Sequence, residues 1–358
     1  MMNTKLQNVR LAMKEKGMDA LFVTNELNQR YLLGYPFTDG MLLILPEVAY
    51  MVTDFRYYEE AQAHADPAFE VVMPAPRAPF VTEVLEKHGV KTVGYESASL
   101  SCDEFDRLSK LYGVFTFLPC GNLFSTIRKV KEPAELDKIA RAQQITDMAF
   151  SHILKVMTPE MTEIDVALEL EFFMRKHGAE ATAFETISVS GDASALPHGK
   201  PRAVKLKAGF LTMDYGALYE GYCSDMTRTV VIGKADAEMK RLYQTVLEAQ
   251  TAALAVIREG MECAAVDKVA RDIINGAGYE GCFGHGLGHG VGLFIHEMPS
   301  LSSVGGKDVI LESGNVVTVE PGIYLQGKYG CRIEDMVAVT PDGCRNFTAS
   351  PKELIELF

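Results

Sequence analysis

Three histidines fall within twelve residues of one glycine-rich stretch, Gly284-His285-Gly286-Leu287-Gly288-His289-Gly290-Val291-Gly292 followed by His296-Glu297, in a chain that holds 8 histidines in all. An interior glycine costs a helix about 1 kcal/mol relative to alanine. The stretch is therefore expected as strand or loop, with a backbone that another group can approach closely. A zinc-protease helix needs glutamate directly after its first histidine, and Gly286 stands there. A dinucleotide fingerprint fails as well, because the third glycine of G-x-G-x-x-G is missing. One such histidine would be an ordinary polar residue beside a turn; the cluster points to a site.

Two strand pairs supply acids to go with it. In the first, 209–216 with 222–231, a turn centred between Leu218 and Tyr219 sets Asp214 opposite Cys223 and makes Asp225 a diagonal neighbour on the same face. In the second, 315–320 with 332–340, a turn near Gly327 sets Glu320 directly opposite Glu334. The period of two along a strand adds Thr227 beside Asp225 and Arg332 beside Glu334. Four carboxylates on one inner surface repel each other and lose hydration, so a positive charge is required between them. Two divalent cations, with a water or hydroxide between them, balance the four acids. An oxygen-rich set with one imidazole, His289, suits Mn²⁺, Co²⁺ or Fe²⁺ better than a thiolate-rich structural zinc site does. Paired metals activate water and clamp a displacement, so the expected chemistry is hydrolysis. Neither a Walker phosphate loop nor a G-x-S-x-G serine motif is present.

The elements that must position these residues lie in the second half of the chain. Glu132-Pro133 opens a helix to about 157, and a second spans about 162–177. A strand at 187–190, a polar loop 191–200 holding His198 and the first strand pair follow. Helices at 236–258 and 263–276, the glycine-histidine stretch and the second strand pair complete the chain. The order repeats, two helices and a hairpin twice over, as an internal duplication of elements rather than of residue identities. The first half alternates strands at 20–24, 41–46, 48–53, 69–73, 92–95 and 114–118 with helices at 4–17, 78–88 and 103–111. Asp54 is placed to cap a further helix reaching His64. This alternation predicts a small α/β domain with a partly parallel sheet, ending near Ile127-Arg128-Lys129-Val130-Lys131. The fold class expected is therefore α/β (α+β), as domains 1–130 and 131–358.

At 358 residues the chain suits two domains. Its 47% hydrophobic and 23% charged residues are those of a globular protein. A formal charge of −13 without a basic run argues against nucleic acid. No apolar run approaches the ~18 residues of a membrane span, and the charged start lacks a signal-peptide core. Seven cysteines without a C-x-x-C pattern suit reduced thiols in the cytoplasm.

Five ordered motifs resemble one family: Ser194-Ala195-Leu196-Pro197-His198-Gly199; Asp214-Tyr215-Gly216 with Ser224-Asp225-Met226-Thr227-Arg228-Thr229; the glycine-histidine stretch with His296-Glu297; Glu320-Pro321-Gly322-Ile323-Tyr324; and Arg332-Ile333-Glu334-Asp335. These are similar to the proline-specific metallopeptidases of the pita-bread fold, the Xaa-Pro dipeptidases (prolidases) and Xaa-Pro aminopeptidases. Thr53-Asp54-Phe55-Arg56-Tyr57 followed by Ala61 resembles that family's N-terminal domain. The resemblance implies a pita-bread domain with internal pseudo-two-fold symmetry and hydrolysis of an N-terminal Xaa-Pro bond in a dipeptide or oligopeptide. Two divalent ions are implied, Mn²⁺ first, with Co²⁺, Fe²⁺ or Zn²⁺ as alternatives. Asp214 would hold one metal, Asp225 and Glu334 would bridge both, and His289 and Glu320 would hold the other. His198 and His296 would contact the substrate carbonyl and the developing oxyanion, Glu320 would also shuttle a proton, Arg332 would hold Glu334, and His285 would line the proline pocket. Cys331 replaces the usual small aliphatic residue and should point away from the site. A homodimer is expected from the family. Creatinase-like enzymes lack these ligands, methionine aminopeptidases lack His285, and a non-catalytic pita-bread module that binds protein partners would have lost ligands that all stand here.

Overall fold

The computed structural model describes residues 3–358 and divides after Arg128 into two compact units. In the first, chain order is α1 (Thr4–Glu15), β1 (Ala20–Val23), α2 (Glu26–Leu33), β2 (Met41–Ile44), β3 (Ala49–Val52), α3 (Tyr58–His64), β4 (Glu70–Val72), α4 (Arg77–Lys87), β5 (Thr92–Tyr95), α5 (Cys102–Leu111), β6 (Thr116–Pro119) and α6 (Leu123–Arg128). The sheet runs β4-β3-β2-β1-β5-β6. Its β1–β5, β5–β6 and β3–β4 pairs are parallel, while β1–β2 and β2–β3 are antiparallel. This is the partly parallel sheet that the alternation of apolar runs predicts. Asp54 does not cap α3: the helix begins at Tyr58 without a side-chain cap. Asp54 instead accepts hydrogen bonds from the Arg56 backbone and guanidinium and from Arg77, so nearby charge outcompetes the cap.

The second unit starts with α7 (Pro133–Val156), α8 (Glu163–Lys176), β7 (Ala181–Thr182), β8 (Ile187–Ser190), a short 3₁₀ turn at Gly191–Ala195, β9 (Gly209–Tyr215), β10 (Ala217–Tyr219), β11 (Tyr222–Cys223) and β12 (Met226–Ile232). It continues with α9 (Ala237–Val256), α10 (Cys263–Gly276), β13 (Gly288–Gly290), β14 (Glu297–Leu301), β15 (Val316–Val319), β16 (Gly322–Leu325), β17 (Tyr329–Arg332), β18 (Asp335–Thr340), β19 (Gly343–Asn346) and β20 (Glu356–Leu357). One sheet has the order β20-β12-β9-β8 and another β14-β13-β15-β18-β19. Each has its own apolar core against its own helix pair: Ile145, Phe150, Leu170, Leu211 and Met213 on one side, Leu242, Val246, Val266, Val317 and Val337 on the other.

The duplication is visible in the backbone. Helices α8 and α10 start at 163 and 263 and end at 176 and 276. Ahead of each, Leu206 donates its N–H to the Met161 carbonyl at 3.0 Å, and Leu311 donates to that of Met261 at 2.9 Å. Matching isolated bridges join Thr162 to Lys205 and Glu262 to Ile310.

Candidate active site

Register decides which acids meet. In the second hairpin Gly322 pairs with Arg332 and Val319 with Asp335, so Glu320 and Glu334 stand opposite each other about a turn at Gly327, where φ is +75°. The first hairpin turns two residues later than its sequence suggests, at Glu220-Gly221, both with positive φ. Asp214 therefore lies opposite Thr227, and Cys223 opposite Leu218. The partner of Asp214 moves by an even number of residues, so the face is kept and Asp225 remains its diagonal neighbour.

The glycine-histidine stretch reaches these carboxylates because it lacks Cβ atoms. A Cβ on Gly288 would sit 2.1 Å from the Thr318 carbonyl oxygen, and one on Gly290 2.3 Å from that of Met298. Between them His289 lies 3.5 Å through Nε2 from Asp225 Oδ2 and 3.3 Å from Glu320 Oε1. Its Nδ1 is 3.1 Å from the Gly290 carbonyl. That carbonyl accepts only from a protonated Nδ1, so Nε2, once it gives up the proton it donates to Glu320, is the nitrogen that can offer a lone pair to a metal. The Glu320 N–H bonds the Leu287 carbonyl and the Glu334 N–H that of Thr227, so backbone ties fix both acids.

One ligand atom each from Asp225, His289 and Glu334 lie within 4.8 Å of one another. Asp225 and Glu334 are 4% and 1% exposed. Burial, then mutual repulsion with Asp214 and Glu320, holds both carboxyls well above the usual carboxylate range. Asp214 is raised for the same reasons against the pull of Arg332, and its buried Oδ1 has no hydrogen-bond partner. Burial would raise Glu320 too, but the hydrogen bond from His289 holds it down to about 2. Burial works to lower His289, and Glu320 outweighs it so that the imidazole is raised. Acids that cannot all ionise together, an orphaned carboxylate oxygen and an imidazole lone pair form a donor set that fits divalent cations.

Arg332 sits elsewhere than its sequence neighbour implies. It is 3% exposed, and donates from NH2 to Asp214 Oδ2 at 2.6 Å, from Nε to Thr227 Oγ1 at 2.9 Å and from NH1 to the Tyr324 hydroxyl at 2.7 Å. Its carboxylate partner is thus Asp214. Glu334 is reached only through Thr227, whose hydroxyl donates to Glu334 Oε2 at 2.7 Å. Strand β17 ends at Arg332 and β18 begins at Asp335, so the alternation that would set Arg332 beside Glu334 is interrupted.

His285 hydrogen-bonds the Gly286 carbonyl through Nδ1 at 2.8 Å and the Tyr324 hydroxyl through Nε2 at 3.0 Å. Burial lowers its pKa, so the neutral ring accepts from Tyr324. The ring of His296 meets that of His289 edge-on at 4.3 Å between centroids. Burial and the neighbouring imidazole lower its pKa also. His198 and His296 both line a cavity of about 1090 Å³ with His285, His289 and the four acids. Cys331 is buried in the apolar core, away from that cavity.

Four side chains escape the sequence reading. Tyr324 stands in a recognised motif, yet its hydroxyl joins Arg332 to His285. Asp267 accepts the Leu287 N–H at 3.0 Å and pairs with Arg271, whose guanidinium donates to the carbonyls of Phe283 and His285, both at 2.8 Å. Lys131, 1% exposed in its side chain, lies 3.5 Å from Glu297, the residue after His296. The spacing of Asp267 and Arg271, four apart on a helix, was the available signal.

Fold and site together define a two-unit chain in which duplicated hairpins bring four acids and an imidazole to one cavity. Residues 137–341 match the model of metallopeptidase family M24, and residues 5–130 match the creatinase/prolidase N-terminal domain. The chain belongs to metallopeptidase family M24: an α/β chain with a creatinase/prolidase-type N-terminal domain followed by a pita-bread domain. It is 34% identical over 357 residues to an Xaa-Pro dipeptidase of Pyrococcus horikoshii, covering 99% of each chain. Among solved structures it is similar to an Xaa-Pro dipeptidase from Bacillus anthracis, with 40% identity, 99% of each chain covered and a TM-score of 0.95. It is also similar to an X-Pro aminopeptidase from Thermotoga maritima, with 35% identity, 97% of this chain and 100% of the other covered, and a TM-score of 0.90.

Proposed function

We propose that residues 131–358 form a catalytic domain that follows an N-terminal domain over 1–130 in the chain, and that the enzyme hydrolyses the Xaa-Pro bond at the N-terminus of proline-containing peptides with two divalent ions. Asp214, Asp225, His289, Glu320 and Glu334 would hold the ions, with Asp225 and Glu334 shared between them. Bound there, Mn²⁺ first, or Co²⁺, Fe²⁺ or Zn²⁺, would acidify water and polarise the scissile carbonyl.

The chain's own side chains would do the rest. His198 and His296, on the cavity wall, would donate to the substrate carbonyl and to the tetrahedral oxygen that develops from it. A neutral His296, its pKa lowered, needs its N–H directed at that oxygen. Glu320 would carry a proton from the attacking water toward the leaving proline nitrogen. Arg332 would fix Asp214 and, through Thr227, Glu334. His285, held by Tyr324, would line the space for the proline ring. Such a site answers a real difficulty. The bond before proline is a tertiary amide without an N–H, so a protease that binds substrate as an extended strand loses a hydrogen bond there.

The observation that carries this reading is the convergence of four acids and one imidazole from separate hairpins in a buried place. Seven free cysteines suit a reducing compartment, the cytoplasm. The test is metal analysis of the purified chain with hydrolysis of Xaa-Pro peptides, before and after chelation and with Mn²⁺ restored. A chain that binds no divalent ion, or whose hydrolysis ignores chelation, would refute the proposal.

A further inference from the structure

The cavity does not end at the acids. It runs on to the first turns of α8, where Ile164, Ala167, Leu168 and Glu171 form its wall, and every residue lining it belongs to the second unit. Its volume of about 1090 Å³ exceeds the roughly 300–1,000 Å³ typical of sites for drug-sized ligands, and an Xaa-Pro dipeptide is smaller than those.

The charge of that wall bears on what fits. A dipeptide places a free carboxylate directly on its proline, so an enzyme restricted to dipeptides must block the space beyond or meet that charge with a fixed cation. Among the described residues lining the cavity, the lysines and arginines are Lys200 and Arg332. Arg332 is committed to Asp214, Thr227 and Tyr324. Lys200 is 80% exposed in its side chain and sits 3.0 Å from Glu185. Glu171 and Glu185 add negative charge to the same wall. The space beyond the acids is therefore neither blocked by this unit nor matched to a carboxylate.

What it offers instead is apolar surface. Ile164, Leu168 and Phe172, spaced four apart along α8, are 36%, 57% and 67% exposed. The duplication provides a control. The same positions on α10 are Ala264, Lys268 and Asp272, with Lys268 Nζ 2.5 Å from Asp272 Oδ2. The equivalent helix face carries an ordinary solvated ion pair, so exposure there does not demand apolar residues. The apolar stripe belongs to the half whose second helix walls the cavity.

We infer that this chain acts on peptides longer than Xaa-Pro, with the residues after proline laid against Ile164 and Leu168 of α8 and apolar side chains preferred there. This rests on the Xaa-Pro reading above and selects aminopeptidase over dipeptidase action.

The experiment compares kcat/KM of the Mn²⁺-loaded full chain on Ala-Pro, Ala-Pro-amide, Ala-Pro-Phe and Ala-Pro-Phe-Phe. Removing the carboxylate as the amide, or lengthening the peptide, should each raise kcat/KM tenfold or more over Ala-Pro. Leu168→Glu should raise KM for Ala-Pro-Phe-Phe several-fold more than for Ala-Pro, with kcat changed little, while Lys268→Ala on α10 alters neither. Ala-Pro cleaved as well as or better than the longer peptides overturns the inference. So does Leu168→Glu shifting all substrates equally, or changing only the oligomeric state seen by sedimentation. Failure to cleave any of the four peptides instead removes the Xaa-Pro reading itself.

Discussion

The two halves of the catalytic unit share a backbone plan and spend their side chains differently. Each ties its second helix to the segment that carries site residues through one buried carboxylate and one guanidinium. In the first half Glu163, with a fully buried side chain, accepts from the Ser190 N–H and hydroxyl at 2.7 and 2.8 Å and takes a two-pronged bond from Arg202. That pair braces the ends of the loop 191–201, which holds His198. In the second half Asp267, also buried, pairs with Arg271 four residues on, and the two hold the backbone at Phe283, His285 and Leu287. The acids sit at different helix positions, 163 and 267, so the common feature is the brace and not the residue. A duplicated fold can preserve the connection between helix and site while letting the identity of the linking side chain drift.

The largest expected effect lies where the halves meet. Asp225 comes from the first hairpin and Glu334 from the second, and each is proposed to serve both ions. Asp225→Asn and Glu334→Gln should each abolish turnover and bound metal together, a loss well beyond the roughly 100-fold of a missing supporting hydrogen bond. In the metal-free protein the same two changes replace an acid whose ionised form burial and repulsion disfavour, so any gain in melting temperature over the metal-free parent should grow as pH rises above the ordinary carboxylate range. His296→Ala should lower kcat on the order of 10²-fold while metal content by mass spectrometry stays near normal. A metal-free His296→Ala would show that the histidine is a ligand and that the division of roles between the halves is wrong.

Next comes the brace. Glu163→Ala and Asp267→Ala each leave a buried N–H without a partner and a half-exposed guanidinium without its carboxylate, a cost of about 1–3 kcal/mol that urea unfolding would measure. Stability should fall alike in both halves. Function should not. Asp267 supports the backbone around His285 and two residues short of the proposed ligand His289, so the milder Asp267→Asn and Arg271→Lys should raise KM for Xaa-Pro peptides while leaving the fold intact. Equal kinetic damage from Glu163→Gln would sink the distinction.

The first-half brace also has a pH signature. Burial tends to raise the Glu163 pKa, but Arg202 and the Ser190 donors outweigh it and hold the carboxyl below the ordinary glutamate value of 4.5. A carboxyl lowered on folding contributes stability that is full above its unfolded pKa and lost as pH falls through its folded pKa. The stability advantage of the parent over Glu163→Gln should thus be present at pH 6 and shrink steadily below pH ~4.5, as followed by urea unfolding at each pH.

Much of this was legible in the sequence, for identifiable reasons. The face of each acid follows from a period of two, which survives an even slip. The first turn lies at Glu220-Gly221 and not at Leu218-Tyr219, yet Asp214 and Asp225 still share a surface. Gly327 marked the second turn, and the alternating glycines marked a backbone in close contact with Thr318 and Met298. What failed depended on distances no period encodes. Strand alternation sets Arg332 beside Glu334, and the break between β17 and β18 that turns it to Asp214 has no sequence mark. Asp267 and Arg271 have the spacing of a surface ion pair, and only burial separates them from Lys268 and Asp272 on the next position of the same helix. Asp54 has the right residue type for a cap and two arginines nearer than the helix.

The smallest contrast is at the helix starts. Thr162 caps α8 with a reciprocal box, its hydroxyl accepting from the Asp165 N–H at 3.1 Å while Asp165 accepts from the Thr162 N–H at 2.7 Å. Glu262, at the same place before α10, makes no such cap; its carboxylate accepts instead from the Asp308 N–H at 3.0 Å. Thr162→Ala should therefore cost about 1 kcal/mol, since the Asp165 N–H at an exposed helix end loses its partner but regains water. Glu262→Ala should cost less, for the α10 terminus already does without a side-chain cap and is pinned by the Cys263 N–H to the Val309 carbonyl at 2.9 Å. Neither change should move kcat or KM, because both lie at helix starts anchored by backbone bonds rather than on the braces. A larger loss at Glu262 than at Thr162 would mean that the bond to Asp308, a non-glycine residue at φ +59°, does for the second half what the capping box does for the first.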